Sequence, residues 1–194
     1  IGVLYGSIAG YYGGRTDRLM MSGVDILYAI PFMFLVILLL VYFGRDIIVL
    51  FVALGAVQWL TMSRIVRTQI LSLKAMEFVR AARMCGTSHA RIIWLHMIPN
   101  TLGIILVYAT LTVPAVILEE SFLSFIGLQV QYDGQNLDSW GALVDQGMRT
   151  MGKNGEKSWL LIAPAGMMTL TLLALNCLGD GLADRLDPRR RQRR

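Results

Sequence analysis

The sequence predicts an all-α, polytopic membrane protein, and three observations carry the prediction. Residues of the AVILMFWYC set make up 55% of the 194 residues and charged residues only 16%, where an average soluble domain carries about 25% charged. The mean hydropathy is +0.57. The charges are clustered, which leaves uncharged stretches at 1–14, 26–44, 47–63, 92–118 and 158–179. A helix needs about 20 apolar residues to cross a bilayer, within a range of roughly 17–25. Four of the stretches reach that length, and the first reads as the tail of a fifth span. The composition excludes a disordered or nucleic-acid-binding chain, which would be rich in charge. It leaves no polar face for an ordinary soluble enzyme. Ile1 opens the chain inside an apolar run, so residues 1–194 are expected to form a single transmembrane domain lacking its N-terminal part.

The loops supply the orientation. Segment 64–91 holds six Lys/Arg and one acid, and the tail 180–194 holds six Lys/Arg and three acids. Segment 119–158 holds three Lys/Arg and six acids. Lys and Arg collect on the cytosolic side of membrane proteins. The first two segments are therefore expected in the cytosol and 119–158 outside. Counting spans then puts 15–25 in the cytosol and Arg45-Asp46 outside.

Along the chain, Gly2, Gly6, Gly10 and Gly14 recur every fourth residue. On one helix they form a smooth ridge against which another backbone can pack, either within the chain or between subunits. Pro31, Pro114 and Pro164 lie in or near apolar spans. Each removes a backbone hydrogen bond and tends to kink its helix. Residues 74–85 lack Gly and Pro and predict a short helix. Its apolar stripe is Met76, Val79 and Ala82–Arg83, and Glu77 can pair with Arg80 three residues on. Gly86 is placed to end it, and Thr87 or Ser88 to cap the next helix. Segment 121–132 is uncharged but too short to span, and is expected to be re-entrant or interfacial.

The chemistry-bearing residues are few. The spans contain no Asp, Glu, Lys or Arg, and His96 is their one ionisable group of the Asp, Glu, Lys, Arg and His set. Ion-driven carriers rely on intramembrane carboxylates, and voltage sensors on arginine ladders. Residues 147–154, GMRTMGKN, come close to a phosphate-binding loop. Asn154 stands where a hydroxyl is needed for magnesium, and no strand precedes it. His89 and His96 have no acidic or Cys partner at metal-ligand spacing, so no metal site is expected. Two histidines support no Ser-His-Asp arrangement. Cys85 and Cys177 are too few for a disulfide framework. The chain is expected to be a non-enzymatic transport element. The strongest signal is a short helix held on the cytosolic surface between two spans, which suits it to receive a push from a partner. Contact with anionic lipid is the alternative.

A resemblance decides between them. Arg80-Ala81-Ala82-Arg83, Gly86 and His96-Met-Ile-Pro99-Asn100 resemble the EAA loop of ABC-importer permeases, in the form usual in the peptide and nickel branch. Arg80 stands where the general pattern has Glu. Gly10-Tyr11-Tyr12-Gly13-Gly14, the run Glu120–Leu128, Ser139-Trp140-Gly141, Leu178-Gly179-Asp180-Gly181-Leu182 and Asp187-Pro188-Arg189 are similar to the same branch. The resemblance covers nearly the whole chain and is to the C-type subunit of dipeptide and oligopeptide importers. It implies six spans in the full chain, a type I importer fold, and a coupling loop at 64–100. Glu77, Arg80, Ala81, Ala82, Arg83, Gly86 and Pro99 would then face an ATPase. It further implies a heterodimer with a second permease subunit, two cytosolic ATPase subunits that hold the ATP and magnesium, and an extracytoplasmic solute-binding protein. The expected location is a bacterial inner membrane with the C-terminus in the cytosol. Nickel or another small solute is the alternative cargo. A secondary carrier or channel is the competing class, and the charge-free spans count against it.

Overall fold

The computed structural model describes residues 1–151 and 157–186. The elements in chain order are α1 (Gly2–Tyr12), α2 (Gly14–Tyr28), α3 (Phe32–Phe43), α4 (Ile47–Lys74), α5 (Glu77–Met84), α6 (His89–Ile92), a π-helical turn (Ile93–Met97), α7 (Ile98–Phe125), a hairpin of β1 (Gln131–Tyr132) and β2 (Gln135–Asn136), α8 (Trp140–Thr150) and α9 (Trp159–Leu186). Among the described residues, three helical stretches are long and apolar enough to cross a membrane: 47–74, 89–125 and 159–185.

The expected span 26–44 is not one helix. Ala29, Ile30 and Pro31 separate α2 from α3, and the pair is bent by 70°. Pro31 has no N–H to donate and pushes the residue before it out of the helical region, so the break falls there. At 12 residues α3 rises only about 18 Å, short of the ~30 Å hydrocarbon core. A fourth crossing exists if the bent pair serves as one span, with 26–43 as its apolar part. The charged turns 14–25 then lie outside it. Pro114 and Pro164 sit inside continuous helices instead.

The chain packs as two units. The first comprises Ile1–Phe32 and Gly55–Tyr108 with the described chain from Ala183. Its core joins Tyr11, Val66, Ile70, Val79, Ile92, Ile93 and Met97. Gly2, Gly6 and Gly10 lie against α4. A Cβ on Gly2 would come 2.5 Å from the Trp59 carbonyl oxygen, and one on Gly10 2.9 Å from that of Arg67. Gly14 leaves this ridge. The helix stops at Tyr12, Gly13 and Gly14 both take positive φ, and Gly14 meets nothing within 4 Å. Two ion pairs tie α2 to α4. Arg67 donates from both Nε and Nη2 to the Asp17 carboxylate, and Arg64 Nη2 lies 2.7 Å from Asp25 Oδ1. The hydrogen bonds from Arg67 outweigh burial and hold the Asp17 carboxyl below the usual carboxylate range.

The second unit comprises Met33–Leu54 and Ala109–Leu182. Segment 121–132, expected to be a re-entrant or interfacial helix, is not a separate helix. Residues 121–125 simply continue α7, which closes at Gly127 with φ 89 and a bond from the Leu128 amide to the Leu123 carbonyl. Beyond it the chain runs extended into the hairpin, whose turn is Asp133-Gly134, both at positive φ. The Arg45-Asp46 corner is stitched to this segment. Arg45 donates to the Gly127 carbonyl at 2.8 Å, and the Gln131 amide donates to the Arg45 carbonyl at 2.7 Å. The amphipathic helix of this region is α8, capped by the Ser139 hydroxyl accepting from the Ala142 amide. Gly141 and Gly147 let α8 touch the backbones of α7 at Ser121 and α9 at Leu160.

Candidate docking surface

The sequence EFVRAARM folds into α5 as a helix of eight residues that starts later than residue 74. α4 runs through Lys74, and Met76 is extended, so the two helices are separate. Glu77 sits in the first turn and Arg83 in the last, each matched to the helix-dipole charge at its end. The far end closes through Gly86. Its φ is 73, its amide donates to the Arg83 carbonyl at 3.0 Å, and the Thr87 amide donates to the Ala82 carbonyl at 3.1 Å. This pair of bonds needs a left-handed residue between them, which is the role of glycine there. Ser88 caps α6, its hydroxyl accepting from the Arg91 amide.

α5 buries a narrow stripe. Val79 is fully buried and Ala82 half-buried against the same core. Met76 and Arg83, expected on that stripe, are exposed. The remaining face is open: Glu77, Phe78, Arg80, Ala81 and Met84 are all exposed, Met84 at 89%. Glu77 and Arg80 are both exposed and form no ion pair with each other. Exposed pairs gain too little to hold two long side chains in one geometry. Among the described residues Arg80 has no hydrogen-bond or ion-pair partner. Arg83 differs, because its guanidinium lies 5.1 Å over the Tyr11 ring. Tyr11 itself is 3% exposed, and its hydroxyl is 2.8 Å from His89 Nδ1. One buried ring thus braces both α5 and α6.

Pro99 does not belong to α5. It lies in the first turn of α7, directly after the π-helical turn. Pro99 has no N–H for the Leu95 carbonyl, and its ring would crowd it. One extra residue in the preceding turn relieves both. The Asn100 side chain then donates to the His96 carbonyl at 2.6 Å. Pro99 and Asn100 therefore shape the re-entry of the chain into its helix.

The four expected packing glycines divide into three that contact α4 and Gly14, which does not. The sequence offered no role for Tyr11 beyond its place in a Gly-Tyr-Tyr-Gly-Gly run. Of the phosphate-loop-like run 147–154, residues 147–150 end α8. Its 152–154 portion lies outside the described residues, as does Asp187-Pro188-Arg189.

Comparison with known proteins places this surface in a family. Residues 2–192 match the family of binding-protein-dependent transport system inner membrane components. The chain is 52% identical over 191 residues to the oligopeptide transport system permease protein OppC of Haemophilus influenzae, covering 98% of this chain and 60% of that protein. It is 51% identical over 179 residues to OppC of Escherichia coli K12, covering 92% of this chain and 57% of that protein. It is 45% identical over 192 residues to the dipeptide transport system permease protein DppC of Bacillus subtilis, covering 99% of this chain and 58% of that protein. The chain thus spans somewhat under two thirds of the length of these relatives. It belongs to this family of multi-pass inner-membrane permeases, with the type I ABC-importer transmembrane fold.

Proposed function

We propose that this member of the binding-protein-dependent permease family is a membrane-spanning subunit of an ATP-driven peptide importer. It forms half of the translocation path and couples to a separate ATPase through α5. The observation that carries the coupling is the division of α5 into a buried Val79 and an open face bearing Arg80, Ala81 and Met84. A helix pinned on one side and bare on the other can transmit a displacement to the core that holds it. Peptides are the favoured cargo because the relatives above are named for oligopeptide and dipeptide transport.

In this reading the chain pairs with a second, homologous permease subunit, and two cytosolic ATPase subunits bind ATP and magnesium. A solute-binding protein delivers the cargo from outside. Segments 15–25 and 64–91 and the C-terminus face the cytosol of a bacterial cell, and 119–158 faces outward. The lysine and arginine asymmetry supports that orientation.

The test uses the full-length subunit co-expressed with its partners. Reconstituted complex should take up labelled oligopeptide only with ATP and binding protein, and the subunit alone should transport nothing. In intact cells Ser139→Cys should react with an impermeant thiol reagent and Thr87→Cys should not. Transport by the subunit alone would overturn the reading, and reversed labelling would overturn the orientation.

A further inference from the structure

The contact between α2 and α4 borders an open polar pocket of about 640 Å3. It is walled by Asp17, Arg18, Ser22 and Asp25 of α2 and by Arg64, Arg67 and Thr68 of α4, among others. Its charge is unevenly used. Each carboxylate is already matched: Asp17 accepts two bonds from Arg67, and Asp25 accepts one from Arg64 at 2.7 Å. Arg18 makes no hydrogen bond or ion pair among the described residues. An arginine carries five N–H donors in a fixed fork, so Arg64 and Arg67 also retain donors beyond those spent on the aspartates. The Ser22 hydroxyl adds another. With the aspartates neutralised, one net positive charge remains, and several donor-bearing side chains line a single space.

The surroundings say what anion meets it. On the same helix Leu19 is 75% exposed and Ile26 70% exposed. Helical spacing puts these two on one stripe, beside the stripe that carries Arg18. In a chain that spans the bilayer such a helix lies in the interface, with its apolar stripe toward the acyl chains and its basic residues at the headgroups. The anion held at that depth and at high local concentration is a phospholipid phosphate. Guanidinium groups match phosphate geometry through paired N–H donors.

We propose that the α2–α4 pocket is a binding site for the phosphate of an anionic phospholipid, with Arg18 as its principal ligand and Arg64, Arg67 and Ser22 as supporting donors. The chemistry is independent of the cargo and of the docking partner. The cytosolic placement of 15–25 determines only which leaflet supplies the lipid.

The experiment uses the full-length subunit in its complex, delipidated in detergent and titrated with phosphatidylglycerol or phosphatidylcholine. Bound lipid is read by native mass spectrometry. Wild type should retain phosphatidylglycerol over phosphatidylcholine. Arg18→Gln should lose about tenfold or more in that retention, the loss of charge-assisted hydrogen bonds to the phosphate, and Arg18→Lys, which keeps the charge without the paired donors, should recover only part of it. Arg15 lies on the same helix but does not wall the pocket, so Arg15→Gln should retain the lipid. Equal losses in Arg15→Gln and Arg18→Gln would show general surface attraction and overturn the site. Displacement of the lipid by millimolar inorganic phosphate would assign the pocket to free phosphate and overturn the lipid. Unchanged retention in Arg18→Gln would overturn the proposal outright. Arg18 is exposed, so its loss should not unfold the chain, and thermal melting of each variant checks this.

Discussion

Tyr11 and His89 stand 78 residues apart in sequence and meet at 2.8 Å, phenol oxygen to Nδ1. Around that bond the end of α1, the start of α6 and the exposed helix α5 are fastened together. The Arg83 guanidinium lies 5.1 Å over the Tyr11 ring, and Val79 and Tyr11 share one core. The helix offered for docking is thereby mechanically continuous with the membrane helices of its own unit. A push on α5 reaches α1 through a packed aromatic ring and not through a slack loop.

Removing the hydroxyl should loosen this brace by a modest amount. Tyr11→Phe keeps the ring and its packing but deletes one hydrogen bond, at a net cost of about 1 kcal/mol. His89→Ala should lose a similar amount. The double variant should lose no more than the larger single effect plus a small remainder, because both changes break the same bond. Thermal unfolding of the full-length subunit checks this, and strictly additive losses would show that the two residues are not coupled.

The two arginines of α5 should behave differently. Arg83 is engaged with Tyr11, an exposed cation–π contact worth about 0.5–1 kcal/mol, so Arg83→Ala should chiefly reduce the subunit's own stability. Arg80 has no such tie among the described residues and is free for a partner. Buried against carboxylates or carbonyls of an ATPase, it should cost about 2–5 kcal/mol on truncation, because its partner is left unpaired. Binding of the ATPase in lipid-free detergent measures the difference. Normal binding by Arg80→Ala would remove it from the docking contacts.

Gly86 separates backbone strain from crowding. Its φ is 73, and a Cβ there would meet nothing within 4 Å. The cost of a side chain is therefore conformational, about 1–2 kcal/mol for an ordinary L-residue in the left-handed region. Asn tolerates that region and β-branched residues do not. Gly86→Val should lower uptake and ATPase stimulation with membrane insertion intact, and Gly86→Asn should restore most of both. Equal impairment by Val and Asn would mean that the glycine is needed for a close partner contact instead.

The helical class, the apolar runs 47–63, 92–118 and 158–179, and the Gly86 stop were legible because each rests on a local signal: an uncharged run or a single left-handed position. The helices that carry those runs extend over 47–74, 89–125 and 159–185, past charged residues such as Arg64 and Glu119 at which the uncharged runs end. The break at Ala29–Pro31 was less legible. Hydropathy counts residues and cannot see that one proline divides 26–44 into two helices. The start of α5 at Glu77 instead of 74 had no marker either, since Lys74, Ala75 and Met76 are all good helix formers. Arg83 and Tyr11 could not be paired from sequence, because 72 positions separate them and only the folded core of the first unit brings them together. Gly14 was assigned to the ridge by its spacing alone, which holds only while one helix continues. Gly13 at positive φ ends that helix first.

The same lesson separates two glycines that look alike in sequence. Gly141 and Gly55 both lie within helices, in α8 and α4. Helix propensity alone favours alanine at each by up to about 1 kcal/mol. The structure reverses the sign for one of them. A Cβ on Gly141 would enter the backbone of α7 at Ser121, with the Ser121 Cα only 2.5 Å away. That neighbour is main chain inside a helix and cannot swing aside as a side chain would. Gly141→Ala must therefore separate α8 from α7 and should destabilise the subunit by about 1–3 kcal/mol, the usual cost of overpacking. Gly55 meets nothing within 4 Å, so Gly55→Ala should be neutral or slightly stabilising. Thermal melting of the two variants side by side decides the matter. A Gly141→Ala subunit that melts at or above the wild-type temperature would mean that α8 does not rest on α7 at Ser121.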